Sequence, residues 1–166
     1  MKKILYLFLA LASYGISAQT TAEKYLNSAV SKFYLDDMKG AIVDYTKAII
    51  IDPSYVEAYR KRGLAKEELK DFSGAIVDYT KAIEIDPNYA FALHDRGITK
   101  GKLKDFSGAI ADYIIAIKID PNYATAYFNR GVSKFYLGDM IGACKDARKA
   151  QELGDDASIL IKKACN

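Results

Sequence analysis

The sequence is poor in the residues that most catalytic and metal sites need. Its 166 residues include one histidine, two cysteines and no tryptophan. One histidine excludes a multi-histidine metal site and leaves almost no material for Ser-His-Asp or Cys-His catalysis. Neither a CxxC pair nor a glycine-rich phosphate loop occurs. We therefore predict that the protein is not an enzyme and that it binds no cofactor and no metal.

Long hydrophobic runs are also scarce, because the longest unbroken one covers only residues 4–12. A bilayer-spanning helix needs roughly 20 apolar residues. Two lysines precede the run, and a segment of mostly small residues ending at Ala18 follows it, which is the layout of a secretory signal peptide. We predict that residues 1–18 are a signal peptide cleaved after Ala18, or alternatively after Ser17. The protein would then be an exported bacterial protein, periplasmic or secreted, with no transmembrane segment left.

The chain also lacks a strong excess of charge of either sign. It carries 24 basic and 21 acidic residues, and loss of residues 1–18 removes two lysines, so the net charge falls to 24 − 2 − 21 = +1. A balance this close gives no electrostatic reason to expect a nucleic-acid partner.

The most prominent feature that is present is a stretch repeated at a distance of 34 residues. Lys70–Tyr89 recurs almost intact as Lys104–Tyr123. A fixed period of this length is typical of stacked repeat architectures. After a short linker at 19–21, the repeat extends without insertion into four blocks, 22–55, 56–89, 90–123 and 124–157.

Each block is predicted to contain two helices, A and B. Apolar or small residues recur at block positions 4 and 8, and then at 17, 20, 24 and 27, which is helical spacing. Proline at position 32 ends helix B, and the next residue (Ser54, Asn88 or Asn122) is predicted to cap the following helix A. Residues 158–166 are predicted to form a C-terminal capping helix. The predicted N-caps of the B helices, at position 16, are Asp37, Asp71, Asp105 and Asp139.

These positions resemble a known family. A small residue at 8, alanine at 20 and 27, an aromatic at 24 and proline at 32, on a 34-residue period, resemble the tetratricopeptide repeat (TPR) pattern over residues 22–157. Three departures stand out: the usual glycine at position 15 occurs only as Gly138, position 11 is lysine throughout instead of aromatic, and the fourth block lacks its proline and reads Gly154-Asp155. The resemblance implies an all-α, right-handed α-solenoid of four TPR helix-turn-helix repeats with a short C-terminal capping helix.

In TPR proteins the A helices line a concave face on which segments of partner proteins lie. The resemblance therefore implies a protein or peptide partner, and no small-molecule substrate is expected. His94 is expected to be a solvated groove residue. Leu64 and Asp95 stand where the chaperone-tail clamp of some TPR domains needs other residues, so binding of such a tail is disfavoured. The predicted groove residues are Val30, Phe33, Tyr34, Arg60, Lys61, Leu64, Phe91, His94, Asp95, Ile98, Phe128, Asn129, Val132, Phe135 and Tyr136.

Arginine at position 7 and aspartate at position 23 also recur, and we interpret them as structural ion pairs. The first block has Ser28 instead of arginine and has no block before it. We therefore hypothesise that each arginine contacts the aspartate of the preceding block; pairing within one block, as in Asp78–Arg62, is the alternative. The hypothesis predicts the pairs Asp44–Arg62, Asp78–Arg96 and Asp112–Arg130.

The two cysteines are Cys144, in helix B of the last block, and Cys165, in the capping segment. An exported chain reaches an oxidising compartment, in which a disulfide persists. We favour a disulfide over two small apolar fillers.

The function predicted from these features is a non-catalytic scaffold that binds a partner segment on the concave face. The alternative is a structural or assembly factor that acts by self-association or by scaffolding at the membrane.

Overall fold

The computed structural model describes residues 19–165, so the predicted signal peptide lies outside the described residues. Within 19–165 the chain forms helices and no strand, which confirms the all-α prediction. The helices are α1 (19–34), α2 (Met38–Ile51), α3 (Val56–Glu68), α4 (Phe72–Ile85), α5 (Ala90–Lys102), α6 (Phe106–Ile119), α7 (Ala124–Tyr136), α8 (Met140–Glu152) and α9 (Ser158–Ala164).

The helices belong to two compact units, divided between Asp71 and Phe72. The first unit contains α1 to α3, and α3 packs on α2. In the second unit α5 packs on α6 and α7 packs on α8, as the A and B helices of the third and fourth repeats. Each A helix there also packs on the preceding B helix, so α5 contacts α4 and α7 contacts α6.

The B helices begin where the aspartates at position 16 predict. The Asp37 carboxylate accepts a hydrogen bond from the Gly40 N–H at 2.9 Å. Asp105 and Asp139 accept in the same way from the backbone N–H groups of Gly108 and Gly142, three residues later in the chain, also at 2.9 Å. Because the first backbone N–H groups of a helix lack intrahelical acceptors, these carboxylates stabilise the start of each helix. The N-cap prediction is confirmed for these three residues.

The prediction that Ser54, Asn88 and Asn122 cap the next A helices is wrong. The N-cap residues of α3, α5 and α7 are tyrosines, and none makes a side-chain capping bond. The aspartate before each proline explains the difference, because its carboxylate accepts from the backbone N–H two residues later, at 2.9 to 3.0 Å. This local turn fixes the link between helices without a cap from the following side chain.

The turn within each repeat requires a left-handed residue at position 15. Asp36, Lys70 and Lys104 have φ of 64°, 65° and 64°, and Gly138 has φ of 84°. A residue with a Cβ atom pays about 1 kcal/mol to adopt this conformation, and glycine does not. Three of the four turns therefore carry backbone strain that a glycine would relieve.

Small residues bring the helices of the second unit close together. A Cβ atom on Gly97 would lie only 2.6 Å from the Tyr113 ring, and one on Gly131 would lie 3.1 Å from Leu160 and 3.3 Å from the Ala143 carbonyl. The alanines at positions 20 and 27 are fully buried. At position 8, Gly131 thus lies close to the alanine at position 20, and Gly97 lies close to the aromatic ring at position 24.

The chain is covered at its C-terminal side by α9. Leu160 and Ala164 of α9 join a buried cluster with the alanines of α8. The structure links Cys144 of α8 to Cys165, directly after α9, by a disulfide with a Cα–Cα distance of 5.0 Å. This distance lies within the range that a disulfide spans. The bond therefore joins the last short helix to the last repeat.

Candidate functional site

The first unit contains a cleft of about 270 Å³ formed by α1, α2 and α3. Six residues predicted for the groove line it, three from α1 and three from α3. Tyr45 of α2 lies at its base and is buried. The six are Val30, Phe33, Tyr34, Arg60, Lys61 and Leu64.

The walls of this cleft differ in chemistry. The Phe33 and Tyr34 rings meet edge to face with centroids 6.1 Å apart, and Tyr34 is 81% exposed. On the α3 side the cleft has two cations, and Lys61 lies 3.4 Å from the half-exposed carboxylate of Glu57. No carboxylate is among the described lining residues. The cleft therefore offers aromatic and apolar surface beside positive charge, a combination enriched where proteins bind other proteins.

Sequence reasoning missed Tyr45 as part of this cleft. Its block position, 24, was assigned to the packing of helix B, and the aromatic side chain there was the available signal. Burial raises the pKa of Tyr45 to about 12, and the charges of Glu57 and Tyr34 add to this effect. The hydroxyl therefore stays protonated at neutral pH.

The expectation for His94 is wrong, because this side chain is only 8% exposed. Its ring lies against Tyr123, with centroids 4.8 Å apart, and against Tyr113, at 5.8 Å. Its Nε2 atom is 3.0 Å from the Asn129 amide nitrogen, and Nδ1 is 3.6 Å from an Asp95 carboxylate oxygen. Tyr123, at the end of the turn between α6 and α7, lies against the His94 ring. His94 therefore does not face solvent, and its contacts connect α5 to α7.

The other predicted groove residues of the second unit have mixed surroundings. Phe91 is exposed, with its ring edge on Tyr123, and Tyr136 is exposed and stacks on Phe106 with centroids 4.7 Å apart. Asp95 is buried and Ile98 is partly buried. The remaining three are partly buried against the cluster formed by α8 and α9, so part of their apolar surface is already covered; they are Phe128, Val132 and Phe135.

The pairing of arginines with aspartates of the preceding block is wrong. Arg96 binds Asp112 of its own repeat, with Nε donating at 3.0 Å and Nη2 at 2.7 Å. Arg130 binds Asp146 of its own repeat at 2.8 and 2.7 Å. Positions 7 and 23 face each other across one hairpin, which places the guanidinium and carboxylate in plane for two parallel bonds. The predicted pairs Asp78–Arg96 and Asp112–Arg130 are therefore replaced by pairs within the third and fourth repeats.

Two of the arginines do reach the preceding repeat, by donating to a threonine hydroxyl. Arg62 Nη1 donates to Thr46 Oγ1 at 3.0 Å within the first unit, and Arg96 Nη1 donates to Thr80 Oγ1 at 3.0 Å within the second. The predicted pair Asp44–Arg62 is replaced in this way, because Thr46 receives the arginine. Each of these two arginines therefore contacts its predecessor at position 25.

Asp44 has other cationic partners. Lys32 Nζ lies 2.5 Å and Lys47 Nζ 3.0 Å from its carboxylate, and Ser28 Oγ donates to it at 2.8 Å. The hydrogen bond from Lys32 is the main cause that holds the pKa of Asp44 well below its usual range. Ser28, which stands at position 7 in place of arginine, therefore hydrogen-bonds to the aspartate of its own repeat, as Arg96 and Arg130 do.

The lysine at position 11, which departs from the TPR pattern, is a second cation beside the aspartate at position 23. Lys100 and Lys134 lie 2.8 Å from the carboxylates of Asp112 and Asp146. Lysine at this position in all four blocks was the signal that sequence reasoning left unused. A buried aspartate between two cations is a structural element that fixes the A–B hairpin.

Two further observations concern metals and membranes. Among residues 19–165, no cluster of three or more His, Cys, Asp or Glu side chains is placed to hold a metal ion. No helix in this part of the chain has the length and apolar character needed to cross a bilayer.

The comparisons with known proteins agree with the repeat pattern. Residues 56–89 match the family described as tetratricopeptide repeat, and residues 102–138 match the family described as TPR repeat. No curated protein sequence matches the chain.

Solved structures with the same fold include a MamA protein, 25% identical, with 87% of this chain and 80% of that chain covered and a TM-score of 0.80. The Arabidopsis OM64 TPR domain is 25% identical, with coverages of 72% and 98% and a TM-score of 0.69. The first TPR of Spaghetti (RPAP3), bound to the HSP90 peptide SRMEEVD, is 26% identical, with coverages of 66% and 90% and a TM-score of 0.65.

The fold and the matched repeats define a helical repeat protein whose units are helix-turn-helix hairpins. The chain contains tetratricopeptide repeats, and the predicted fold class is confirmed. The TPR is generally a non-catalytic module that supports protein–protein interaction, and this chain carries that scaffold.

Proposed function

We propose that this protein binds a segment of a partner protein through the face of its A helices, outside the cytoplasm, without catalysing a reaction. The cleft of the first unit carries this proposal, because it gathers six residues that the TPR resemblance assigned to the groove. Exposed Tyr34 supplies an aromatic anchor, and Arg60 and Lys61 supply positive charge beside it. The HSP90 peptide bound by the RPAP3 structure supports binding of a peptide by a similar fold.

Substitution of exposed residues tests this use of the cleft without risk to folding. Captured partners from the extracytoplasmic fraction would be compared for the wild type, Tyr34→Ala, and Ile50→Ala as a control. Ile50 lies in the same unit, is 72% exposed and is outside the cleft. We expect Tyr34→Ala to lose at least tenfold in affinity for the captured partner, and Ile50→Ala to bind normally. Equal capture by both variants would remove the cleft from the proposal.

Export is the second part of the proposal, and it depends on the segment 1–18. Its layout is typical of a cleaved signal peptide. Expression in a bacterial host, followed by mass measurement of the periplasmic protein, tests it directly. We expect a mature chain that begins at Gln19, or at Ala18 if cleavage follows Ser17. Protein that stays uncleaved in the cytoplasm would contradict export.

A second candidate function is assembly by self-association. Large apolar side chains on the B helices are exposed, including Val43 and Ile50 in the first unit and Ile114 and Ile115 in the second. Light scattering over a range of concentrations would separate the two functions. A protein that stays monomeric at all concentrations would exclude self-association and favour partner binding. An average mass that increases with concentration, and no longer does so in Ile50→Lys, would favour assembly.

A further inference from the structure

The second unit contains a larger open cleft, of about 580 Å³, that no sequence pattern predicted. Pockets that hold small ligands have volumes of about 300–1,000 Å³. Two of its lining residues come from α7 and the remainder from α8. The lining residues are Tyr127, Arg130, Ile141, Cys144, Lys145, Asp146, Arg148, Lys149 and Glu152.

Four cations and two carboxylates line this cleft, and both carboxylates are already engaged. Asp146 accepts from Arg130 at 2.7 and 2.8 Å, and Lys134 lies 2.8 Å from it. Glu152 accepts from Lys149 at 3.2 Å. Neither of the two other cations has a carboxylate partner among residues 19–165. The lining thus has two positive charges in excess, and they belong to Lys145 and Arg148.

These two cations are specific to the last repeat. The residues at the block position of Lys145 are Val43, Val77 and Ala111 in the other three repeats. At the position of Arg148 they are Thr46, Thr80 and Ile114. The periodic pattern therefore does not explain them.

The position of Arg148 gives a reason why its guanidinium is available. In the first two repeats the threonine at this position receives the arginine of the following repeat, as Thr80 does from Arg96 at 3.0 Å. In α9 the corresponding residue is Ala164, which has no donor group. The surface that elsewhere holds an arginine–threonine bond here presents a cation.

We propose that this cleft, between α7 and α8, binds a phosphate-bearing ligand through Lys145 and Arg148. A guanidinium matches phosphate oxygens with two parallel N–H donors, and a lysine ammonium adds a second charge. The Tyr127 ring, over which the Arg130 guanidinium lies at 5.3 Å, and the side chain of Ile141, 87% exposed, offer apolar surface to the remainder of the ligand. This site goes beyond the proposed partner binding, because it lies on a different unit from the peptide cleft and takes a different ligand.

The shared chemistry is a phosphate group, which comes from a free phosphate or from a lipid headgroup. The first arm of the test titrates the purified protein with inorganic phosphate at low salt and follows backbone amide shifts by NMR. We expect saturable shifts around residues 145–149, with a Kd on the order of 1 mM. The second arm measures co-sedimentation with vesicles that contain phosphatidylglycerol, against vesicles of phosphatidylcholine alone.

The double variant Lys145→Ala with Arg148→Ala is expected to weaken binding at least tenfold in whichever arm is positive. Both side chains are exposed, so the variant should fold, and circular dichroism checks this. Lys118→Ala is the matched control, since Lys118 is an exposed lysine on the preceding B helix outside the cleft. Binding to vesicles only would assign the phosphate to a lipid headgroup. No saturable binding in either arm, or binding unchanged in the double variant, would overturn the proposal, as would binding of an aspartate-rich peptide alone.

Discussion

Arg96 binds the buried carboxylate of Asp112 with two parallel N–H donors and reaches Thr80 of the preceding repeat with a third. The single guanidinium therefore closes its own hairpin and connects it to its neighbour. This double use explains why position 7 of the third repeat is arginine and not lysine, because lysine has no planar fork.

Replacement of Arg96 tests the strength of this connection. Arg96→Ala should lower the free energy of unfolding by about 3 kcal/mol, because it removes one partner of a buried ion pair. Lys81→Ala, which breaks an exposed pair with Glu84 at 3.0 Å, should change it by less than about 1 kcal/mol. Chemical denaturation of both variants measures the difference. Equal effects would show that the buried cluster adds nothing special to stability.

Two glycines of α5 should respond in opposite ways to a methyl group. Gly97→Ala places a Cβ atom 2.6 Å from the Tyr113 ring, so we expect destabilisation of about 2 kcal/mol. Gly101 has nothing within 4 Å of such an atom, so Gly101→Ala should stabilise the helix by up to about 1 kcal/mol. Thermal or chemical unfolding checks both. The same sign for the two substitutions would contradict the close packing at Gly97.

The left-handed turn residues allow a stabilising substitution. Lys104→Gly should raise the free energy of unfolding by about 1 kcal/mol, because glycine adopts φ near 64° without a Cβ clash. The reverse change, Gly138→Lys, should lower it by a similar amount. Denaturation midpoints of the two variants test this symmetry. A destabilised Lys104→Gly protein would mean that the lysine side chain outweighs the strain.

Acid should weaken the first unit through Asp44. Its folded pKa lies below the ordinary value of 3.8, chiefly because of the hydrogen bond from Lys32. The carboxylate therefore contributes stability that is fully present above the unfolded pKa and is lost as pH falls below 3.8 toward the folded value. Unfolding free energies measured from pH 7 down to about 2.5 should fall more steeply for the wild type than for Asp44→Asn. Parallel curves would exclude this linkage.

The disulfide should stabilise the C-terminal helix. Cys144 and Cys165 are 21 residues apart, and a loop of this size corresponds to about 3 kcal/mol by chain entropy. We expect Cys165→Ser, and equally Cys144→Ser, to lower the free energy of unfolding by roughly this amount under oxidising conditions. Mass spectrometry of protein purified without reductant gives an independent check, because two free thiols would rule out the bond.

Much of the fold could be predicted because the repeat encodes it locally. The period of 34, the helical spacing and the aspartate N-caps each depend on residues close in sequence. The caps of the A helices were predicted wrongly because Ser54 belongs to the turn, where its N–H donates to the Asp52 carboxylate, and the N-cap of α3 is the next residue, Tyr55.

The partners of the ion pairs were predicted wrongly for a different reason. Asp44 and Ser28 are 16 residues apart, and Asp44 and Arg62 are 18 apart, so spacing alone cannot choose a partner. The missing arginine of the first block suggested a contact to the preceding block, and the structure places that contact on threonine. The exposure of His94 was predicted wrongly because its burial depends on the rings that cover it, and that is a property of the packed helices.

The arginine–threonine bond also bears on how such an array grows. A hairpin copied in after the second repeat would find Thr80 ready to receive its arginine at 3.0 Å, as Arg96 does. A copy added after the third repeat would find Ile114 at the corresponding position, and isoleucine has no hydroxyl to accept the bond. An inserted repeat would therefore keep this hydrogen bond at the earlier junction and lack it at the later one.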